Sequence, residues 1–358
     1  VAPSRGLGDV YKRQILTVWN LSDCIFQMLN SIEKQLKQPD EIIIIDDGSD
    51  DGSDEIIGEF IKGRTEYKFF RFKHRGVAAA RNFGLKMVST DYVVILDGDD
   101  ILLPNFLARL SELAISTPDI IIIGSKEYSH LTHLKNSLDW GINLEIHQHS
   151  ELIETSRIID NIFYYFMGWA WDKCFRVEFL KENKLSFPKL ENSEDLVFVY
   201  QALLLSKSIL ICKEALIYHR VDRFNSLSNC RNHNLWDFYE AIVLIQDFLS
   251  SNPQIKEVVQ KCFNEWSADF SIWALKSSFI NFREIIRKTR SISWESVCKT
   301  KSCYYPNLDK LINFSLKRGK FDYTWKFYYL LYLNKKIGSR RIILRLLARI
   351  LNAFYNKN

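Results

Sequence analysis

The chain has 358 residues, 47% hydrophobic, 25% charged and 14% aromatic, which excludes a disordered, collagen-like or low-complexity protein and is ample for a sizeable core. No uncharged apolar run approaches the roughly 18–20 residues of a spanning helix, so an integral membrane protein is not expected. The net charge of +5 is the sum of unlike parts: residues 311–358 hold 11 Lys/Arg against one acid, Asp322, residues 1–14 hold Arg5, Lys12 and Arg13 against Asp9, and residues 15–310 hold 34 basic and 41 acidic residues.

In chain order, the first fourteen residues, VAPSRGLGDVYKRQ, lack the apolar region and cleavage site of a signal peptide. Ser4 to Gln14 resembles, residue for residue, the in-frame translation of a sequencing-library adapter. Residues 1–14 are therefore expected to be non-native, with Ile15-Leu16-Thr17-Val18 the surviving end of a strand. A helix is expected over Ser22 to Gln35. The run Glu41-Ile42-Ile43-Ile44-Ile45 then reads as a strand ending in Asp46-Asp47-Gly48-Ser49. Helices follow over Ser53 to Lys62 and Val77 to Met87. Tyr92-Val93-Val94-Ile95-Leu96 is a second apolar strand, ending in Asp97-Gly98-Asp99-Asp100, and Asp119-Ile120-Ile121-Ile122-Ile123 a third. Continuous apolar runs of this kind suit strands buried on both faces of a mostly parallel sheet. Their alternation with helices implies a doubly wound α/β architecture. Ligands in such sheets bind beyond the carboxyl ends of the strands, where both acidic clusters fall.

After about Trp236 the periodicity becomes helical and aromatic-rich, which places a boundary near 230–240, a helical extension over 236–310 and a basic tail over 311–358. The seven cysteines are scattered without a CxxC pair, so no zinc site or disulfide framework is implied and reduced thiols in a cytoplasm are expected.

The chemistry concentrates at the strand ends. Asp97, Asp99 and Asp100 supply hard oxygen ligands at a density that suits Mg²⁺ or Mn²⁺, held by one or two carboxylates plus substrate phosphates. One of these acids could equally cap the next helix, although a cap needs only one. Asp46-Asp47 repels phosphate but can accept a hydrogen bond from a nucleobase imide or ribose hydroxyl; as a turn-and-cap sequence it is unremarkable.

Read together, these segments resemble glycosyltransferase family 2. The order is Thr17-Val18-Trp19-Asn20, Ile45-Asp46-Asp47-Gly48-Ser49, Gly76-Val77-Ala78-Ala79-Ala80-Arg81-Asn82 and Asp97-Gly98-Asp99-Asp100. Trp171-Asp172-Lys173, Phe187-Pro188 and Ser193-Glu194-Asp195 continue it to about residue 230. The resemblance implies an inverting enzyme of the GT-A fold with a nucleotide-sugar donor, UDP-linked in this reading. It implies that Thr17 and Asp47 contact uridine, that Trp19 stacks near the base and that Arg81 lies near the nucleotide or pyrophosphate. Asp97 and Asp99 would be the DxD pair on a divalent metal, and Trp171 would face the acceptor. Asp195 would be the catalytic base, with Glu194 raising its pKa by like-charge coupling or binding acceptor; the alternative for Glu194-Asp195 is a plain helix start capped by Ser193. His219, in Tyr218-His219-Arg220 ahead of Ser226 and Ser228, is a candidate for the diphosphate or metal, or a structural histidine.

The tail places Arg341, Arg345 and Arg349 on one helical face opposite Ile342, Ile343, Leu346, Leu347, Ile350 and Leu351. Such a segment fits attachment to an anionic leaflet, or a helix packed on the body with a solvated basic face. The first option suits a glycan or lipid-linked acceptor in surface-polysaccharide assembly, at the cytoplasmic face of the membrane, with no nucleic-acid partner. Two other classes share the acidic strand ends: a non-catalytic GT-A nucleotide-binding assembly partner, and a nucleotidyltransferase, which would need a Gly-rich basic loop after the first strand.

Overall fold

The computed structural model describes residues 12–133, 135–137, 141–145, 150–223 and 237–276. Residues 1–11, Ser226, Ser228, the extension beyond 276 and the basic tail 311–358 lie outside the described residues. By contacts the chain forms two units, Val1–Phe263 and Asn264–Asn358.

The first unit begins with β1 (Lys12–Val18), α1 (Ile25–Glu33), β2 (Glu41–Asp46), α2 (Ser53–Phe60), β3 (Tyr67–Arg71), α3 (Val77–Met87) and β4 (Tyr92–Asp97). It continues through β5 (Ile101–Leu102), α4 (Phe106–Leu113), β6 (Ile120–Ser129), β7 (Lys135–Ser137), β8 (Ser150–Glu154), α5 (Ile162–Tyr165), β9 (Lys173–Arg176) and α6 (Val177–Glu182). Then come α7 (Glu194–Leu205), β10 (Ser208–Val221), α8 (Asp237–Ser251) and the start of α9 (Pro253–Lys276).

Among the described residues all the strands join one sheet. Its main path runs β3-β2-β1-β4-β9-β6-β10-β5, with β7 beside β6 and β8 beside β10. The half that carries the acidic clusters, β3-β2-β1-β4, is parallel throughout, as the apolar runs imply. Beyond β4 the sheet is mixed, because β9 runs antiparallel between β4 and β6. The strand at Ile15 extends back to Lys12, since β2 and β4 offer backbone partners on both sides (Arg13 opposite Glu41, Lys12 opposite Tyr92) whatever side chains the segment carries. Gln14 thereby enters the centre of the sheet fully buried, and neither amide atom finds a hydrogen-bond partner.

The helices cover the faces by ordinary amphipathic logic. On α1, Ile25, Met28, Leu29 and Ile32 recur at helical spacing and are all buried. They join Leu16, Ile42, Ile44, Val94 and Leu96 in one core cluster. Helix α7 is buried almost all round, so its orientation is set by packing and its first turn is delivered rigidly to the strand-end crevice. Helix α8 belongs to this unit, and the loop before α7 is tied to it: the backbone N–H groups of Glu191 and Asn192 both donate to Asp237 (2.8 and 2.9 Å).

Candidate active site

The carboxyl ends of β1, β2 and β4 open on one side of the sheet, and each contributes a cluster. After β2, Asp46 is buried inside the turn, accepting from Ser49 and pairing with Arg71 at 3.3 Å. Asp47 accepts from the backbone N–H of Arg75 (2.9 Å) and Gly76 (2.8 Å), at the start of α3, and lies 2.8 Å from His74 Nδ1. These bonds leave Asp47 Oδ1 with accepting capacity. His74 stacks on Trp19 (4.7 Å between centroids, 24° between planes), and Trp19 is 40% exposed. His74 thus bridges Trp19 and Asp47, two residues expected at the nucleoside; the sequence did not single it out, because a lone histidine in a basic loop carries no spacing signal.

At the end of β4, Gly98 makes room for a close approach. A Cβ there would lie 2.6 Å from Leu21 Cδ1 and 3.0 Å from the Thr17 carbonyl, to which the Gly98 N–H donates (3.0 Å). This close approach locks the acidic turn to the end of β1. Its three carboxylates have separate partners. Asp97 Oδ1 accepts from Arg81 Nη2 at 2.7 Å. Asp99 Oδ2 lies 3.6 Å from Arg223 Nη1, and the Asp99 carbonyl accepts from Arg220 Nε at 2.6 Å. Asp100 Oδ1 accepts from the Arg220 N–H (3.1 Å) and lies 2.9 Å from His219 Nδ1. Asp100 Oδ2 is buried with no hydrogen-bond partner.

Burial, then the neighbouring carboxylates Asp100 and Asp97, push the Asp99 carboxyl up to about 7. Burial also raises Asp100. Against the effect of its own burial, the Asp100 carboxylate lifts His219 to about 9, so the ring is an imidazolium at neutral pH. Two irregularities in β10, between Cys212 and Ala215 and between Ala215 and Ile217, re-aim the strand before it delivers His219 and Arg220 to this cluster.

Enclosed carboxylates with an orphaned oxygen suit a divalent cation. Among the described residues no three His, Cys, Asp or Glu side chains are arranged to hold a metal by themselves. The donor set instead fits an ion whose remaining ligands are diphosphate oxygens and water, the habit of Mg²⁺.

Arg81 links this end to the opposite wall. Its guanidinium is buried, with Nη2 on Asp97 and Nη1 on Glu194 Oε1 at 2.6 Å. Arg81 thus forms a buried strut between β4 and the first turn of α7, and the two carboxylates keep it charged despite its burial. Burial pushes the Glu194 carboxyl up to about 8, with Arg81 pulling against that rise. Glu194 faces the strut. Its neighbour Asp195, half-buried, accepts the Leu196 N–H at 2.9 Å. The Ser193 cap does not form: Ser193 sits at φ 64° and its side chain makes no cap hydrogen bond. Asn82, beside Arg81, reinforces the strut by a two-way clasp on the Phe187 backbone (both bonds 2.8 Å).

Trp171 is only 3% exposed, under the rings of Trp169 and His219. Lys173 is fully buried with its Nζ on the carbonyls of Met167 (2.8 Å) and Trp169 (2.9 Å) and on Asp172 Oδ1 (2.6 Å).

A parallel sheet with Asp47, His74 and Trp19 grouped after β2, a polyacidic turn at β4 and a buried strut to a carboxylate-bearing helix forms an α/β module of the GT-A type. Residues 15–172 match the model of glycosyl transferase family 2. Among curated proteins it is similar to EpsH of Bacillus subtilis (strain 168), 26% identical over 58% of this chain and 60% of that protein. It is also similar to the poly(ribitol-phosphate) beta-glucosyltransferase of Bacillus spizizenii, 27% identical over 58% of this chain and 32% of that one. The chain therefore spans less than two thirds of either relative. Among solved structures, S. aureus TarS 1-349 in complex with UDP-GlcNAc shares the fold at a TM-score of 0.65, with 17% identity over 92% of this chain and 93% of that one.

Proposed function

We propose that the protein is an inverting glycosyltransferase that moves a sugar from a nucleoside-diphosphate donor, UDP-linked, to a hydroxyl of a glycan or lipid-linked acceptor in bacterial surface-polysaccharide synthesis. The observation that carries this reading is the Arg81 strut. It ties Asp97, at the end of β4, to Glu194 in the first turn of α7, the residue before Asp195, and this supports reading the two strand and helix ends as one site. The relatives named for poly(ribitol-phosphate) glycosylation support the polymer context.

In this reading Asp47, Thr17 and Trp19, with His74, receive the uridine; the Asp47 carboxylate, aimed by two backbone N–H groups, accepts a hydrogen bond from the base imide N–H. Asp97 and Asp99 would hold Mn²⁺ or Mg²⁺, which supplies Lewis-acid neutralisation of the departing diphosphate. Arg220 and Arg223 bring positive charge to the same turn. Asp195 takes the proton of the attacking acceptor hydroxyl, while Glu194, engaged by Arg81, positions the first turn of α7 instead of touching acceptor. No helix among the described residues is long and apolar enough to cross a membrane. The charge and aromatic content of residues 311–358 support peripheral attachment to an anionic leaflet at its cytoplasmic face. That attachment is wrong if protein lacking 311–358 floats with anionic liposomes as well as the full chain does.

The enzymatic claim is tested by measuring sugar and nucleotide release from UDP-, GDP- and dTDP-sugars with Mn²⁺. Turnover of at least one UDP-sugar is expected. Nucleotide binding without turnover of any donor would instead indicate a non-catalytic assembly partner.

A further inference from the structure

Three rings lie together between the acidic turn and the first turn of α7. His219 and Trp171 are nearly parallel (4.5 Å between centroids, 7° between planes), as are Trp169 and Trp171 (4.9 Å, 20°), and the centroids of Trp169 and His219 are 6.3 Å apart. Rings on opposite faces of a third would be separated by about two contact thicknesses, about 7 Å. Trp169 and His219 therefore lie side by side on the same face of Trp171. Trp171 is the floor, and the two half-buried rings above it form a tiled aromatic shelf.

Both ends of the shelf are anchored. His219 is held by Asp100 at 2.9 Å. Trp169 is held through its backbone: the Lys173 ammonium spends all three donors on Met167 O, Trp169 O and Asp172, fastening the loop on either side of Gly168. Gly168 lets that loop press on α7. A Cβ there would lie 2.4 Å from Leu196 Cδ2 and 3.2 Å from Leu196 Cα, immediately after Asp195 in the chain. The shelf thus runs from the acidic turn, whose Asp97 and Asp99 are assigned to the divalent ion, to the helix turn that carries the proposed base. A flat, rigid, partly exposed aromatic surface beside a proton acceptor suits a pyranose ring, whose C–H face is apolar and whose edge hydroxyls stay polar.

We infer that Trp169, rather than Trp171, is the ring on which the acceptor sugar lies, with Trp171 the buried support beneath it. The assignment to acceptor rests on the proposed function, because the loop carrying Trp169 packs on the helix turn of the proposed base and His219 is held at the acidic turn. Trp169 is on this account a positioning and specificity residue for pyranose acceptors.

The test uses the full chain with methyl β-D-glucopyranoside, methyl β-D-galactopyranoside and methyl α-D-mannopyranoside as probes, sorbitol as the acyclic control, and saturation-transfer NMR as the readout. UDP and UDP-glucose affinities are measured in parallel. Wild type should saturate the ring protons of at least one glycoside and none of sorbitol. Trp169→Ala should weaken that glycoside about three- to tenfold, the range expected for loss of one aromatic stacking partner, with UDP and UDP-glucose affinities unchanged. Trp169→Phe should retain most of the effect. Equal glycoside binding by wild type and Trp169→Ala overturns the inference, as does a wild type that saturates no glycoside. If Trp169→Ala weakens UDP-glucose but not UDP, the ring on the shelf belongs to the donor and the acceptor assignment is wrong. None of these outcomes depends on turnover, so failure of the shelf and failure of the enzymatic reading are separately visible.

Discussion

Replacing Arg81 by Met removes the guanidinium while roughly keeping the volume of its stem. Glu194 is then left in a site almost closed to water, its side chain 7% exposed, without the partner that sat 2.6 Å away. Asp97, at 26% side-chain exposure, can turn to solvent and loses less. Breaking a buried ion pair by removing one partner costs about 3–5 kcal/mol, chiefly from the uncompensated charge. Because burial raises the Glu194 carboxyl to about 8, the variants are compared at about pH 9, where the wild-type pair is ionised; there the Arg81→Met cost should fall in that range and come mostly from Glu194. If so, Arg81→Met/Glu194→Gln should recover at least half of it, because the double variant buries no unpaired charge. Urea unfolding of the four proteins measures this as a double-mutant cycle, with an expected coupling of about 2 kcal/mol or more and an unchanged dependence on denaturant. An Arg81→Met protein within about 1 kcal/mol of wild type, or strictly additive variants, would refute the strut, because a solvent-screened pair contributes no more than that.

Three further perturbations follow from the same physics. Gln14→Val places an apolar side chain where both buried amide atoms lack partners; it should raise stability by about 1–3 kcal/mol, seen as a higher urea midpoint, and a lower midpoint would show the amide is satisfied. Asn82→Ala opens the clasp on Phe187 and should cost about 1–3 kcal/mol, with faster amide exchange at Phe187 as its local signature; unchanged exchange there would contradict the clasp. Lys173→Met leaves Asp172 and two carbonyls of the Trp169 loop without their donor and should cost about 3–5 kcal/mol. Adding Asp172→Asn should recover part of that cost in thermal or urea unfolding, and a double variant no better than Lys173→Met would argue against an uncompensated charge.

Much of the fold was legible because its signals are local. The isoleucine runs at 42–45 and 120–123 are short, β-branched and continuous, which favours buried strands over helix, and α3 begins and ends at Val77 and Met87 as its pattern implied. The strands that escaped notice have weaker patterns. Tyr67–Arg71 is an edge strand of mixed polarity, and Lys173–Arg176 carries a buried lysine that no hydropathy rule assigns to the middle of a sheet. The acidic turns stand out in the sequence as candidate sites because a cap needs only one of their carboxylates. Their pairings were not readable. Arg81 and Glu194 are 113 residues apart, and that they meet follows from the packing of α7, not from any spacing in the chain. For the same reason Trp171 stood out within its motif while Trp169, two residues earlier, did not: only the three-dimensional arrangement tells which ring is floor and which is surface.

The central claim is that Asp195 abstracts the acceptor proton in a sugar transfer whose donor is bound elsewhere. It is tested most directly by comparing wild type and Asp195→Asn for UDP-sugar turnover and UDP affinity in the same buffer with Mn²⁺. The account predicts that turnover falls by about 10²–10⁴-fold, the usual contribution of a positioned general base, while UDP affinity stays within about twofold. Turnover within tenfold of wild type, or loss of UDP binding in step with activity, would contradict it.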